Sequence, residues 1–111
     1  MSEHGKRARA LFEEGYNCAQ SVAGAFAEEM GIPLPQVVRM ISAFGGGIGR
    51  LRETCGAVSG MAFVIGTLYG YDSPTAVEEK KELYALTQQL VRAFEAQSGS
   101  LLCRQLLGIT G

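Results

Sequence analysis

The stretch TCGAVSGMAFVIGTLYGY, residues 54–71, decides the fold of this chain because it holds 18 residues without a charge. It lacks the strict alternation of a half-buried strand, and its length is near the lower limit for a helix that crosses a membrane. A helix that is apolar on all sides is typical of the centre of a bundle. We therefore predict a buried central helix over about residues 54–69, with a membrane-spanning helix as the alternative.

Three glycines, Gly56, Gly60 and Gly66, lie inside this predicted helix. Each glycine lowers the stability of a helix by up to about 1 kcal/mol relative to alanine. Such a cost indicates that something approaches the helix closely at these positions, either another helix, a ligand or a second subunit. A homodimer is one form that this packing would take.

Glycine and proline separate five further segments with helical character, and none shows sustained strand alternation. They cover about residues 2–14, 17–30, 34–44, 73–97 and 100–107. In the segment 73–97, one predicted buried face carries Leu83, Leu86, Leu90 and Phe94. The pattern predicts an all-α fold: a compact bundle of five to six helices around the central glycine-rich apolar helix, in a single domain over residues 1–111.

Composition limits the classes of function. Apolar residues make up 47% of the chain, which is enough for a packed core. The net charge is −1 and the basic residues are dispersed, so a nucleic-acid-binding surface is not expected. Residues 1–15 are charged and lack the apolar stretch of a secretory signal, so we expect a cytoplasmic protein. Reduced thiols are the default there, and a disulfide would be catalytic or sensory.

The three cysteines all fall where a helix is predicted to begin. A residue that commonly caps helices precedes each one: Asn17 before Cys18, Thr54 before Cys55, and Ser100 three residues before Cys103. A thiol in a first helical turn faces unpaired amide groups and the positive end of the helix dipole, and both favour the thiolate. Arg50 and Arg52 would add positive charge if they fold back toward Cys55. This pattern indicates sulfur chemistry without identifying its kind.

Simple packing is the alternative for these cysteines, because free cysteine commonly serves as a small core residue. Cys18 shares a helical face with Val22, and Cys103 shares one with Leu107. Cys55 differs, because a glycine follows it and a glycine-rich loop precedes it, so its sulfur should be accessible. We therefore predict Cys55 as the lead thiol, with Cys18 and Cys103 as its partners.

The glycine-rich loop spans residues 45–49. Its four glycines, Gly45, Gly46, Gly47 and Gly49, have amide groups that would form an anion-binding nest beside the sulfurs, and we predict them as ligand-binding residues. The alternative is a flexible turn that joins two tightly packed helices. A nucleotide-binding loop is not indicated, because no Gly-Lys-Ser/Thr follows and no strand is predicted before it.

Four short segments occur together in a recognisable order. The sequence C-G-A-V-S-G at 55–60 follows F-G-G-G-I-G-R at 44–50, with Y-N-C-A-Q at 16–20 upstream and C-R-Q-L-L-G at 103–108 downstream. In these segments the chain resembles the C_GCAxxG_C_C family of redox-active proteins. The resemblance covers residues 16–108, which is most of the chain.

The resemblance implies redox activity and names no reaction. Cys18, Cys55 and Cys103 match the first three of the family's four cysteines, and no counterpart of the fourth occurs before Gly111. A related helical domain occurs in a multihaem cytochrome that also holds an iron–sulfur cluster, which makes cluster binding an alternative. The C-x-x-C-H motif of covalent haem attachment does not occur in this sequence.

We expect a small thiol redox protein, a candidate thiol oxidoreductase without a bound cofactor. Cys55 would attack, and Cys103 or Cys18 would complete a disulfide. One alternative is a zinc or iron–sulfur module, which three cysteines would form only with a further ligand. Another is a helical interaction domain whose cysteines only pack. The expected partner is an unidentified redox protein or a transporter, without nucleic acid and without insertion into a membrane.

Overall fold

The computed structural model describes residues 3–98 of the 111-residue chain. Within this range the chain forms six α-helices and one 3₁₀ turn, and no β-strand. The helices are α1 (Glu3–Glu14), α2 (Cys18–Gly24), α3 (Ala27–Met30), α4 (Leu34–Met40), α5 (Gly56–Tyr69) and α6 (Val77–Ser98), with the 3₁₀ turn Ser42–Phe44 between α4 and α5. The predicted all-α fold is therefore confirmed.

The hydrophobic core lies between α2, α3, α4 and α5. Its buried members are Ala19, Ala23, Ala27, Val37, Ile41 and Val64, with Phe26, Met30, Ile32, Leu34 and Phe63 packed against them. α2 contacts α1, α4, α5 and the 3₁₀ turn, whereas α5 contacts α2, α3, α6 and the same turn. The two helices therefore share the centre of the described fold, and α2 contributes the small alanine side chains that let its neighbours approach.

The start of α2 is held by a capping box that includes the predicted cap, Asn17. The Asn17 side chain accepts a hydrogen bond from the Gln20 amide at 2.8 Å, and the Gln20 side chain accepts one from the Asn17 amide at 3.0 Å. The same two side chains also reach the neighbouring elements, because Asn17 donates to the Ser42 carbonyl and Gln20 donates to the Val38 carbonyl. The box therefore stabilises the helix start and joins α2 to the end of α4 and the 3₁₀ turn.

The prediction of one continuous helix over 17–30 was wrong, because the chain turns between α2 and α3. The amide of Phe26 donates to the carbonyl of Ala23, three residues back, and this replaces the four-residue spacing of an α-helix. Gly24 permits close packing here, because a Cβ at this position would lie 3.0 Å from side-chain atoms of both Leu11 and Leu34. The packing of α1 and α4 around Gly24 thus accompanies a bend that the helical spacing of apolar residues did not predict.

Other boundaries shift by one to a few residues. The segment predicted over 34–44 is α4 followed by the 3₁₀ turn. α6 begins at Val77, after the predicted start at residue 73, because Ser73 and Thr75 close a turn in which the Thr75 amide donates to Ser73 Oγ. The predicted segment 100–107, which contains Cys103, lies outside the described residues.

The predicted buried face of α6 is only half-buried. Leu83, Leu86, Leu90 and Phe94 are each partly exposed, and none of the residues described for α6 is buried. None of the helices described for residues 3–98 is long and apolar enough to span a membrane. The membrane-spanning interpretation of residues 54–71 is therefore not supported.

Candidate functional site

The starts of α2 and α5 meet at Cys18 and Gly56. A Cβ at Gly56 would lie 3.1 Å from the Cβ of Cys18 and 3.0 Å from the amide nitrogen of Ala19. Both distances are too short for an ordinary contact, so only glycine fits at this position without movement of the neighbouring chain. The first glycine of the C-G-A-V-S-G segment therefore brings the residue after Cys55 against Cys18.

Gly60, one helical turn further along α5, has the same role against the same helix. A Cβ at Gly60 would lie 2.9 Å from the Ala19 carbonyl oxygen and 3.0 Å from the Cβ of Val22. Residues four apart share a helix face, so Gly56 and Gly60 form one smooth strip along which the backbone of α2 lies. The helix approach inferred from the glycines is thus observed at these two positions.

Gly66 does not belong to this strip. It is exposed, and a Cβ there would meet nothing within 4 Å. Its place in the sequence suggested the same close approach, but it faces away from α2.

Cys18 and Cys55 occupy different positions at these helix starts. Cys18 is the first residue of α2, as the Asn17 cap predicted, and it is exposed, although it was placed on a helical face with Val22. Cys55 is itself the N-cap of α5 and is half-buried, so Thr54 is not the cap that we predicted. The reason is that α5 begins one residue later than expected, with the Ser59 amide donating to the Cys55 carbonyl.

Neither Cys18 nor Cys55 is in a disulfide. The contact between Gly56 and Cys18, combined with standard backbone lengths, limits the distance between the Cα atoms of the two cysteines to about 10 Å. A disulfide requires about 7 Å or less. The two cysteines are therefore neighbours across the junction of α2 and α5.

The glycine loop adopts a left-handed turn. Gly46, Gly47, Ile48, Gly49 and Arg50 all have φ between 56° and 72°. Glycine adopts this conformation freely, whereas a residue such as Ile48 or Arg50 pays roughly 1–2 kcal/mol for it. A flexible turn was the alternative prediction for this loop, but six consecutive amides, from Ile48 to Glu53, donate to carbonyl oxygens of residues 43–48. These bonds hold the strained conformation in place.

The same hydrogen bonds reduce the number of amides that the predicted anion nest could offer to a ligand. The amide of Gly49 donates to Ala43, so it is not available to a ligand. Gly47 is buried, and Gly45 packs so closely under the Asn17 carboxamide that any side chain at 45 would collide with it. Ligand binding by Gly45, Gly46, Gly47 and Gly49 stays a prediction, and amides 48–53 do not contribute to it.

A cavity of about 360 Å³ opens beside this turn. It is lined by Asn17, Ser42, Ala43, Gly45, Gly46, Gly49 and Arg50. Three of the four predicted glycines therefore line a cavity next to Cys18, because Asn17 precedes Cys18 in the chain. Sequence reasoning identified Asn17 only as a helix cap and missed Ser42, for which no motif gives a signal.

The two arginines predicted near Cys55 lie on this turn. Arg50 is exposed and lines the cavity, and the stem of its side chain lies over Gly46, where a Cβ would be 2.9 Å from Arg50 Cγ. Arg52 is half-buried and also has a left-handed φ of 61°. Arg50 therefore faces the cavity that borders Asn17.

The largest cavity described, of about 550 Å³, lies at the other end of α5. It is lined by Tyr69, Tyr71, Asp72 and neighbouring residues of the α5–α6 connection, together with the first turns of α6. The 14 residues of α5 separate it from Cys55 by about 20 Å. It is therefore not part of the cysteine site.

Residues 3–98 contain no group of three or more His, Cys, Asp and Glu side chains placed to hold a metal ion. Cys103 lies outside that range, so the cysteine set predicted for zinc or a cluster is represented here only by Cys18 and Cys55. This pair alone is short of the four ligands that such sites commonly use.

Comparison with known proteins gives one match. No curated protein and no solved structure is similar enough to match this chain. The family model described as "Putative redox-active protein (C_GCAxxG_C_C)" matches residues 16–110, which include the Asn17 capping box, the left-handed turn and the Gly56–Gly60 strip. The chain therefore belongs to the C_GCAxxG_C_C family of redox-active proteins.

Proposed function

We propose that this protein carries out thiol–disulfide exchange, with Cys55 as the attacking thiol and Cys18 as the thiol that completes the disulfide. The observation that carries this proposal is the contact between Gly56 and Cys18, which makes the two cysteines neighbours across the junction of α2 and α5. The family match supports redox activity in general.

The lead role of Cys55 is supported by its position on the longer helix. It is the N-cap of the 14-residue α5, and its own side chain makes no capping hydrogen bond within the described residues. The first amides of a helix have no acceptor within the helix, and they stabilise a nearby negative charge. α2 has only seven residues and its first turn is already capped by Asn17, so Cys18 has less of this support.

The reaction proceeds in two exchanges. The Cys55 thiolate attacks one sulfur of a substrate disulfide, which forms a mixed disulfide and releases the first substrate thiol. The Cys18 thiolate then attacks the Cys55 sulfur, which forms the Cys18–Cys55 disulfide and releases the second substrate thiol. The substrate disulfide gains two electrons and two protons, and the two cysteines lose them. Cys103 is the other residue that could take the second step.

The test is differential alkylation and mass spectrometry after treatment with oxidised glutathione. We expect a Cys18–Cys55 disulfide in the native sequence and a trapped mixed disulfide on Cys55 in Cys18→Ser. Cys103→Ser is the matched control and should still form the bridge. A bridge to Cys103 would reassign the second step, and the proposal fails if no pair forms and Cys55 reacts no faster than a peptide thiol.

A further inference from the structure

The cavity beside the left-handed turn has the composition of a small anion site. Of the seven described residues that line it, Arg50 is the only charged one, and the others are small or polar. Its volume of about 360 Å³ is in the range of sites for small molecules and is too small for a folded partner. A ligand here would therefore be a small molecule, or one end of it, with a negative charge.

Arg50 is available to such a ligand. Within residues 3–98 it has no carboxylate at ion-pair distance, whereas Arg7, Arg9 and Arg92 each pair with a glutamate. A guanidinium group presents several donors in one plane and binds a carboxylate through two of them. Arg50 therefore has the chemistry to bind a carboxylate and no described competitor for it.

The backbone holds Arg50 in this place. Its φ of 67° is unfavourable for a residue with a side chain, and the turn is closed by the bonds from amides 48–53. Gly46 leaves the space in which the Arg50 stem lies. Strain at a residue with a side chain is maintained only when the surrounding structure compensates for it, and such residues cluster at binding sites.

The cavity borders the proposed cysteine pair. Asn17 is in its lining, Cys18 is the next residue, and Gly56 contacts Cys18. Neither cysteine is among the described lining residues, but a ligand that binds Arg50 and extends past Asn17 approaches the start of α2, where Cys18 and the residue after Cys55 meet.

We propose that this cavity selects the substrate of the exchange reaction, and that the preferred substrate is a small disulfide carrying a carboxylate, which Arg50 binds. This rests on the proposed function, because it names the disulfide that Cys55 attacks. The chemistry is unchanged: the carboxylate stays ionised, and the two electrons pass from the cysteine pair to the substrate disulfide, which leaves as two thiols.

The experiment compares rates of thiol oxidation by a dicarboxylate disulfide, dithiodipropionate, and a neutral one, bis(hydroxyethyl) disulfide. Each rate is divided by that of a cysteine peptide with the same disulfide, which removes differences in intrinsic reactivity. We expect the ratio of the two normalised rates to favour dithiodipropionate and to fall about fivefold in Arg50→Gln. Arg50→Lys should keep part of the preference, because the charge remains.

Arg39→Gln is the matched control. Arg39 is also exposed and has no ion pair within residues 3–98, but it does not line the cavity. This variant should keep the native ratio, and circular dichroism checks that the Arg50 variants remain folded. A native ratio near one, or an equal loss in Arg39→Gln, would overturn the inference while leaving the exchange reaction in place.

A second measurement separates binding from chemistry. In Cys18→Ser/Cys55→Ser, dithiodipropionate should shift the NMR amide signals of Gly46, Gly49 and Arg50, and Arg50→Gln should abolish the shift. Binding here combined with unreactive native cysteines would support the site and contradict the proposed function. Absence of the shift in the folded double variant would overturn the site.

Discussion

The junction of α2 with α5 and the outer helix α6 are packed in opposite ways. At the junction, two glycines of α5 touch the backbone of α2, and Ala19 and Ala23 are fully buried. α6 is three times as long as α2, yet none of its described residues is buried and its apolar stripe stays half-exposed. The comparison teaches that the small motif residues Ala19, Gly56 and Gly60 allow the closest helix packing, while the longest amphipathic stripe contributes little to the core.

Truncating one apolar side chain in each region should give the largest difference between them in the free energy of unfolding. Ile41 is 1% exposed, so Ile41→Ala should lower the free energy of unfolding by about 2–5 kcal/mol. Leu90 on α6 is half-exposed, so Leu90→Ala should cost about 1 kcal/mol. Urea denaturation measures both. Equal losses would mean that the α6 face is covered in solution, and the contrast between the two regions would then be wrong.

Glycine replacement tests the junction within a single helix. Gly60→Ala should lower the free energy of unfolding by about 1–3 kcal/mol, because the new methyl group meets backbone and side-chain atoms of α2. Gly66→Ala is the matched control on the same helix and should raise it by about 0.5–1 kcal/mol, since nothing lies within 4 Å. If both changes stabilise the protein, α2 and α5 are less closely packed than described.

Two titratable groups have shifted pKa values, one where α1 meets α3 and one at the α5–α6 connection, and these give the smallest effects. The contact with His4, whose Nε2 lies 3.1 Å from Glu29 Oε1, is the main cause that lowers the pKa of Glu29 below its usual 4.5. Its contribution to stability is therefore present above pH 4.5 and is lost as the pH falls through the lower folded value. At the α5–α6 connection, the hydrogen bond with Tyr84 raises the pKa of Tyr71 above 10.0. That contribution is present below pH 10.0 and is lost as the pH rises through the higher folded value.

Unfolding curves across pH for His4→Gln and Tyr84→Phe check these two groups. The first change should weaken the dependence of stability on acid pH alone, and the second the dependence on alkaline pH alone. If one variant changed the stability at both acid and alkaline pH, its contact would act on the whole fold and not only locally.

The sequence was sufficient for the elements whose cause is local. The Asn17 cap predicted the start of α2, Gly15 and Gly31 follow the ends of α1 and α3, and the uncharged stretch predicted α5. Local signals failed at residues 25–26, where packing around Gly24 accompanies a bend, and at Thr54, where Cys55 became the cap. Propensity is a weak guide at such points because contacts from other helices outweigh it.

The candidate site was predictable in its residue types and not in its geometry. Cys18, Cys55 and the glycine loop were identified from spacing and capping, and the structure brings Cys18 against Gly56. The left-handed turn was not predicted, because its local hydrogen bonds hold Ile48, Arg50 and Arg52 in a conformation that these residue types disfavour. The cavity was not predictable, because it joins Asn17 to a segment about thirty residues away.

By itself, the order of residues determined that this chain is helical, where most of its helices start and stop, and which thiols to examine, because these follow from short-range capping, periodicity and glycine placement. Only the tertiary structure decided which glycines make contact, which faces stay exposed and which cysteines become neighbours. Those outcomes depend on how helices fit against one another, and a contact of about 3 Å between distant segments leaves no periodic trace in the sequence.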